Sequence, residues 1–248
     1  MNAFKRLEFK YFIPKTTADE IYKKIENYIV PDAFGDDGGT YTISSIYYDN
    51  SYLDCYFQTL NRDIFRQKLR LRTYGTLAST DSPVFFEIKS KLSGQSTKRR
   101  YAMPYKYTPE FCEQSLSADI VIDEFLGSHP QIKDTANGRQ ILAEIAELIC
   151  RCQLKPVSVV SYERQALIAK DRGDVRITFD SNLRVRTEDL DLLSGSYGTS
   201  TMPDDMLVLE VKQDSNVPLW LAEILCEYKC RNQSYSKYCS MNMYKAIN

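Results

Sequence analysis

Polar and apolar residues alternate one by one along much of this chain, the period-2 pattern of a half-buried strand. In FKRLEFKYFI at 4–13, Arg6, Glu8 and Lys10 share one face while Leu7, Phe9 and Tyr11 share the other. The same alternation predicts strands over 41–48, 63–75, 83–91, 96–105, 155–169, 174–180, 182–187 and 206–213, set apart by turn-rich stretches such as GTLASTDSP, LSGQS and DRGD. Helical spacing predicts four further elements. Residues 16–29 form a helix capped by Thr16 or Thr17 and ended before Pro31. Residues 50–60 form a short one capped by Asn50 or Ser51. Residues 108–151 are helical, broken near Gly127–Pro130 and Gly138, and residues 218–230 form a helix opened by Pro218. No repeat or low-complexity linker interrupts the series, so a single domain over 1–248 is expected. Its class is α+β: a closed antiparallel β-barrel of about eight strands with helices packed outside.

Charge changes this picture. The chain of 248 residues has a formal net charge of -1, which by itself points to no anionic partner. Sorting the strands by parity gives a different result. The charged faces carry Lys10; Arg66, Lys68, Arg70 and Arg72; Lys89 and Lys91; Lys98 and Arg100; Arg164, Arg176, Arg184, Arg186 and Lys212. With Arg6 they hold fifteen basic residues against only Glu8, Glu87, Asp180 and Glu210, a net of about +11 that leaves about -12 for the remainder. Half-buried strands ordinarily carry one solvated face of mixed sign, because like charges directly opposite across strands repel. Repeating one sign on nearly every strand predicts a lumen built for a multiply charged anion, a polyphosphate or nucleoside triphosphate. Arg forks and Lys ammonium groups suit the closely spaced oxygens of a phosphate chain.

The remaining composition excludes other chemistries. The sole histidine, His129, argues against histidine-ligated zinc and against a Ser-His-Asp triad. Seven cysteines include no CxxC pair and read as reduced, mostly buried thiols of a cytoplasmic protein. No run of 18 apolar residues encodes a membrane span, and MNAFKRLEFKY has no secretory apolar core. Nucleic acid is not an expected partner: the near-neutral net charge implies an acidic exterior, and aromatic residues fall mainly on the apolar faces rather than between the cations.

The signatures RLEFKY at 6–11, SIYYDN at 45–50, KLRLRTYG at 68–75, FFEIKSK at 85–91, KRR at 98–100, YER at 162–164, RITFD at 176–180, LEVK at 209–212 and YSKY at 235–238 occur in order along the chain. Together they resemble the VTC domain of polyphosphate polymerases, within the triphosphate tunnel metalloenzyme (CYTH-like) superfamily. The resemblance implies a tunnel of antiparallel strands in which the γ-phosphate of ATP passes to a growing polyphosphate chain with help from Mn²⁺ or Mg²⁺. Carried over position by position, Lys10, Arg70, Arg72, Lys89, Lys98, Arg164, Arg176 and Lys237 bind phosphates, and Glu210 binds the metal with Glu8 as a second acidic contact. The faces above add Lys68, Arg100 and Lys212 as phosphate contacts. Arg70, Arg72, Lys89 and Glu210 form the catalytic set, because phosphoryl transfer needs positioning and charge neutralisation rather than a nucleophilic side chain. Asp180 is expected to be structural, Arg184 and Arg186 to lie near the tunnel mouth, and Trp220 to pack. Two positions depart from the pattern. Arg6 replaces the first of two glutamates that open the wider superfamily, which argues against a generic triphosphatase, and Ser234 replaces a second C-terminal lysine of the polymerases. A triphosphate hydrolase and a non-catalytic polyphosphate-binding module are the alternative functions, and a membrane partner protein is the expected means of any membrane attachment.

Overall fold

The computed structural model describes residues 7–32, 39–77, 79–113, 126–129, 132, 135–171, 173–214 and 216–240. Arg6 and residues 114–125 of the expected helical stretch 108–151 lie outside them. Two compact units divide the chain. One comprises 1–43, 161–185 and 198–248, the other 44–160 and 186–197. Neither is a continuous segment, because the chain changes unit inside three of its strands.

The first unit opens with β1 (Leu7–Pro14) and α1 (Lys15–Ile25). Helix α1 starts directly after Pro14 with no side-chain cap, so neither Thr16 nor Thr17 caps it. A 3₁₀ turn, Glu26–Tyr28, then leads into β2 (Ile29–Pro31), a short strand that the alternation was too brief to reveal. β3 (Thr40–Asp49) carries the chain into the second unit. There follow α2 (Asp54–Leu60), β4 (Phe65–Tyr74), β5 (Pro83–Leu92), β6 (Gln95–Pro104), α3 (Thr108–Glu113) and α4 (Ala136–Cys152). β7 (Lys155–Ala169) returns to the first unit, which is completed by β8 (Arg176–Arg186), β9 (Thr199–Ser200), β10 (Met206–Gln213) and α5 (Leu219–Glu227). The strands expected at 174–180 and 182–187 are therefore one strand, β8, which continues through Asn182 at a φ of 52°. Pro218 precedes α5, as expected.

Eight strands follow the hydrogen-bonded order β1-β10-β8-β7-β3-β4-β5-β6, with β2 added to β7 and β9 to β8. The expected class, α+β with a largely antiparallel sheet, is what the chain adopts. Among the described residues the hydrogen-bonded order has two ends and is not closed on itself. At one of them the outer edge of β1 is taken by an irregular segment, where Gln233 N donates to Lys10 O at 2.8 Å and Lys10 N donates to Asn232 Oδ1 at 3.1 Å. That capping satisfies strand-edge groups which would otherwise template another strand.

Within the first unit, register sorts the two faces. Phe9, Val211 and Ile177 align across β1, β10 and β8, as do Tyr11, Leu209 and Phe179. This apolar face buries Ala18, Ile21 and Ile25 of α1, spaced by three and four, together with Leu221, Ile224 and Leu225 of α5. Trp220 stacks on Tyr28 at 4.6 Å, consistent with packing. In the second unit Leu69, Leu71, Phe86, Ile88 and Met103 are likewise buried, and Phe111 of α3 meets Phe86 at 5.6 Å. α4 is capped by Thr135, whose hydroxyl accepts from Gly138 N. Gly138 is the residue that lets α4 sit close to β6, since a Cβ there would lie 2.7 Å from the Tyr101 ring. At α2 the expected Asn50 accepts from Asp54 N, but buried Asp49 does more, accepting from Cys55 N and Tyr56 N.

All seven cysteines are free thiols. The expectation that most are buried is corrected: Cys55 alone is buried, while Cys150 and Cys226 are exposed and the rest intermediate. No helix among the described residues is long and apolar enough to cross a membrane.

Ile21 is fully buried between α1 and the sheet. Ile21→Ala is expected to lower unfolding stability by about 2–5 kcal/mol. Urea unfolding checks it, and an unchanged midpoint would contradict the packing described.

Candidate functional site

The charged faces gather into two clusters, one in each unit. In the first unit the row opposite the apolar one aligns Lys10, Glu210 and Thr178 across β1, β10 and β8, with Glu8, Lys212 and Arg176 aligned beside it. Glu210 is 3 % exposed. Its carboxylate meets Lys212 Nζ at 2.6 Å, Arg164 at 3.6 Å and Lys237 Nζ at 4.0 Å. Asp180, also buried, accepts both arms of the Arg164 fork at 2.6 and 2.7 Å and Lys237 Nζ at 2.5 Å. Lys10 Nζ pairs with Glu8 at 2.9 Å and donates to Tyr235 O at 3.0 Å. Arg176 pairs with Asp32 and donates to the Tyr41 hydroxyl. Tyr162 lies under both Arg164 and Lys237, whose charged ends are 5.3 and 4.6 Å from its ring centre.

In the second unit Glu87 is fully buried and is the centre of the cluster. Arg70 Nε donates to it at 2.7 Å, Lys98 Nζ donates at 2.6 Å, and Arg72 Nε lies at 3.9 Å. Arg72 donates to Ser45 Oγ and Arg70 to the Tyr47 hydroxyl, both on β3. Cross-strand register then sets Lys68 opposite Lys89, and Lys89 opposite Lys98. Three lysines thus run in one row over three strands, an arrangement that self-repulsion disfavours. Arg100, opposite Glu87, is exposed and rests over the Phe85 ring at 5.1 Å.

Burial alone would raise all three carboxyl groups, yet each is held below its ordinary range. Arg70, Arg72 and Lys98 depress Glu87; Arg164 and Lys237 depress Asp180; Lys212, Lys10, Lys237 and Arg164 hold Glu210 well below. Tyr47 shows the same balance. Its burial raises the phenol, but Arg70, Arg72 and Lys68 bring it down to about 8.

Every candidate residue named from the sequence lies among the described residues. The first cluster unites Lys10, Arg164, Arg176, Glu210, Lys212 and Lys237, with Glu8 beside them. The second unites Lys68, Arg70, Arg72, Lys89 and Lys98, with Arg100 at its margin. Two expectations change. Arg186 is not a solvated mouth residue but is 6 % exposed and saturated by backbone oxygens of Asp189, Asp191, Gly195 and Tyr197, so it holds a loop. Arg184 is exposed, as expected of a solvated residue, and donates to Gly198 O at 3.3 Å. Aromatic residues do interleave with the cations, since Tyr47, Tyr74, Phe85 and Tyr162 each lie under an arginine. Sequence reasoning missed Asp32, Tyr41, Ser45 and Tyr47; for Ser45 and Tyr47 the alternation along SSIYY was the available signal, whereas Asp32 follows a strand end and carried none.

Glu210 and Glu8 offer the hard carboxylate oxygens that Mg²⁺ or Mn²⁺ prefers. No group of three or more His, Cys, Asp or Glu able to hold a metal occurs among the described residues. The two carboxylates therefore fit such an ion only where phosphate oxygens and water complete its shell.

A family model described as VTC domain matches residues 5–243. Vacuolar transporter chaperone complex subunit 4 of Trypanosoma cruzi (strain CL Brener) is 26% identical over 246 residues, and that of Trypanosoma brucei brucei (strain 927/4 GUTat10.1) is 28% identical over 247; each alignment covers 91% of this chain and 30% of the relative. The Schizosaccharomyces pombe subunit 4 is 27% identical over 68% of this chain and 26% of its own length. The chain thus spans about a third or less of the curated relatives it matches.

Two outcomes follow from the clusters. Because the folded-state pKa of Glu87 is depressed, its contribution is complete above the unfolded carboxylate range and is lost as pH falls through about 4 and below. Glu87→Gln is expected to cost about 3 kcal/mol at pH 7, since it leaves buried cations uncompensated, and the gap to the parent should narrow by pH 3. Urea unfolding at pH 7, 5 and 3 measures it; a pH-independent gap would contradict the ion cluster. Separately, ultraviolet difference titration should show one phenol ionising near pH 8 that disappears in Tyr47→Phe.

Proposed function

Since the chain belongs to the VTC domain family, we propose that it is an ATP-dependent polyphosphate polymerase, transferring the γ-phosphate of ATP to a growing polyphosphate chain. The observation that carries this reading is the lysine row of the second unit, Lys68, Lys89 and Lys98 directly opposite one another on β4, β5 and β6. Like charges at that spacing repel; Glu87 meets Lys98 at 2.6 Å, and an anion with many oxygens is a further partner that suits the row.

The closed barrel and its basic tunnel belong to this proposal as well. In it, Arg70 and Arg72 would orient phosphate oxygens from geometry already fixed by Glu87, Tyr47 and Ser45. Lys68, Lys89, Lys98 and Arg100 would neutralise the chain along β4, β5 and β6. Lys10, Arg164, Arg176, Lys212 and Lys237 would do the same in the first unit. Their charge would be lowest in energy where the transferring group carries most charge of its own, which is how preorganised cations lower a phosphoryl-transfer barrier. Glu210 and Glu8 would hold a divalent cation, which would supply charge neutralisation during phosphoryl transfer. No nucleophilic side chain is required. In a complex, a membrane partner protein would supply attachment, and a cytoplasmic site would supply ATP.

Incubation with ATP and Mn²⁺ tests the reading. Long acid-labile phosphate chains are the expected product. Free phosphate alone would indicate a triphosphate hydrolase, and tight binding without turnover a polyphosphate-binding module. Arg70→Ala and Arg72→Ala should each weaken triphosphate binding by tenfold or more, about 1.4 kcal/mol or above, and unchanged binding in both would overturn the site.

A further inference from the structure

Two polar atoms on the charged face of β8 are buried without a hydrogen-bond partner among the described residues: the Thr178 hydroxyl and the Arg176 Nε. Thr178 is 1 % exposed. Its neighbours in register are Glu210 on β10 and, through Glu210, Lys10 on β1. Arg176 is two residues away on the same face and opposite Lys212. The NH2 arm of the Arg176 guanidinium meets Asp32 and the Tyr41 hydroxyl.

Buried polar groups are nearly always paired, so two orphans on one strand face call for a common explanation. Their chemistry narrows it. Arginine Nε carries a hydrogen and can only donate, so its missing partner is an acceptor. A threonine hydroxyl can donate to the same kind of acceptor. The surroundings carry a slight excess of cations, Lys10, Arg164, Arg176, Lys212 and Lys237 against Glu8, Asp32, Asp180 and Glu210. An acceptor that belongs among those charges is an oxyanion. Along a strand the two positions are about 6.6 Å apart, so an anion bearing oxygens along a chain can reach both.

We propose that the Thr178 hydroxyl is a phosphate contact: it donates to an oxygen of the bound phosphate chain whose neighbouring oxygen accepts from Arg176 Nε. This assignment rests on the polyphosphate reading above and adds an uncharged residue to a site otherwise recognised by its cations. The contact gives the site a short-range, directional element that long-range attraction lacks, because a hydroxyl discriminates by position within hydrogen-bond reach while a lysine attracts any nearby anion.

Inorganic tripolyphosphate binding to the full chain, followed by calorimetry, tests it with Thr178→Val and Thr178→Ser. Valine keeps the shape and removes the hydroxyl. With no protein partner to lose, Thr178→Val should unfold at the same temperature as the parent or higher, while its tripolyphosphate affinity falls about five- to tenfold. Thr178→Ser should stay within about twofold of the parent. Three results would overturn the proposal. Undiminished affinity in Thr178→Val, with the parent binding normally, means that the hydroxyl does not touch the ligand. A lowered unfolding temperature in ligand-free Thr178→Val means that the hydroxyl serves a structural water instead. A parent that fails to bind tripolyphosphate removes the polyphosphate reading itself, an outcome separate from the other two.

Discussion

Three buried carboxylates organise the charge in this protein. Glu87, Asp180 and Glu210 are each nearly or wholly removed from solvent, and each is met by two or more cations. An isolated carboxylate at such depth would take up a proton, because burial penalises its charged form. The surrounding arginines and lysines reverse that outcome and are themselves fixed by it. Arg164 is locked by a two-armed bond to Asp180, and Arg70 is held between Glu87 and Tyr47. Such cations have already lost their side-chain freedom before any ligand arrives, which lowers the entropy a ligand must offset.

The arrangement also explains how a neutral chain supports strongly basic strands. The few acids on the charged faces are not spread among the bases but placed at the points of greatest burial. Across the strands from Glu87's partner Lys98 the bases also face one another, in the row of Lys68, Lys89 and Lys98. Helices complete the design from the opposite side: α1 and α5 cover the apolar face of the first unit, so its charged face need not contribute to the core.

Much of this was legible in the sequence because strand alternation is a local property. Lys10, Arg70, Arg72, Lys89, Lys98, Arg164, Arg176, Glu210 and Lys212 fall on charged faces for no reason beyond their parity. What local reading could not supply was the third dimension. Parity does not reveal that Lys237 crosses 57 residues to reach Asp180. Arg186 has the parity of a face residue, but its guanidinium collects carbonyl groups from the loop that follows. Closure of the sheet is likewise a question of which edges meet, and the edge of β1 is met by residues around Gln233, whose sequence has no strand pattern. The helix caps illustrate the same limit, since Asp49 outdoes the residue nearest the helix only through backbone groups brought to it by the turn.

The segment that runs beside β1 and delivers Lys237 has a consequence for how the protein is made. Lys10 is joined to Tyr235 across 225 positions, and Lys237 to Asp180 across 57. During synthesis the strands bearing Asp180 and Glu210 emerge before the lysine that helps compensate both. Until that residue leaves the ribosome the nascent sheet holds an underneutralised pair of acids beside an unprotected strand edge, so a chaperone's help would matter most in that interval.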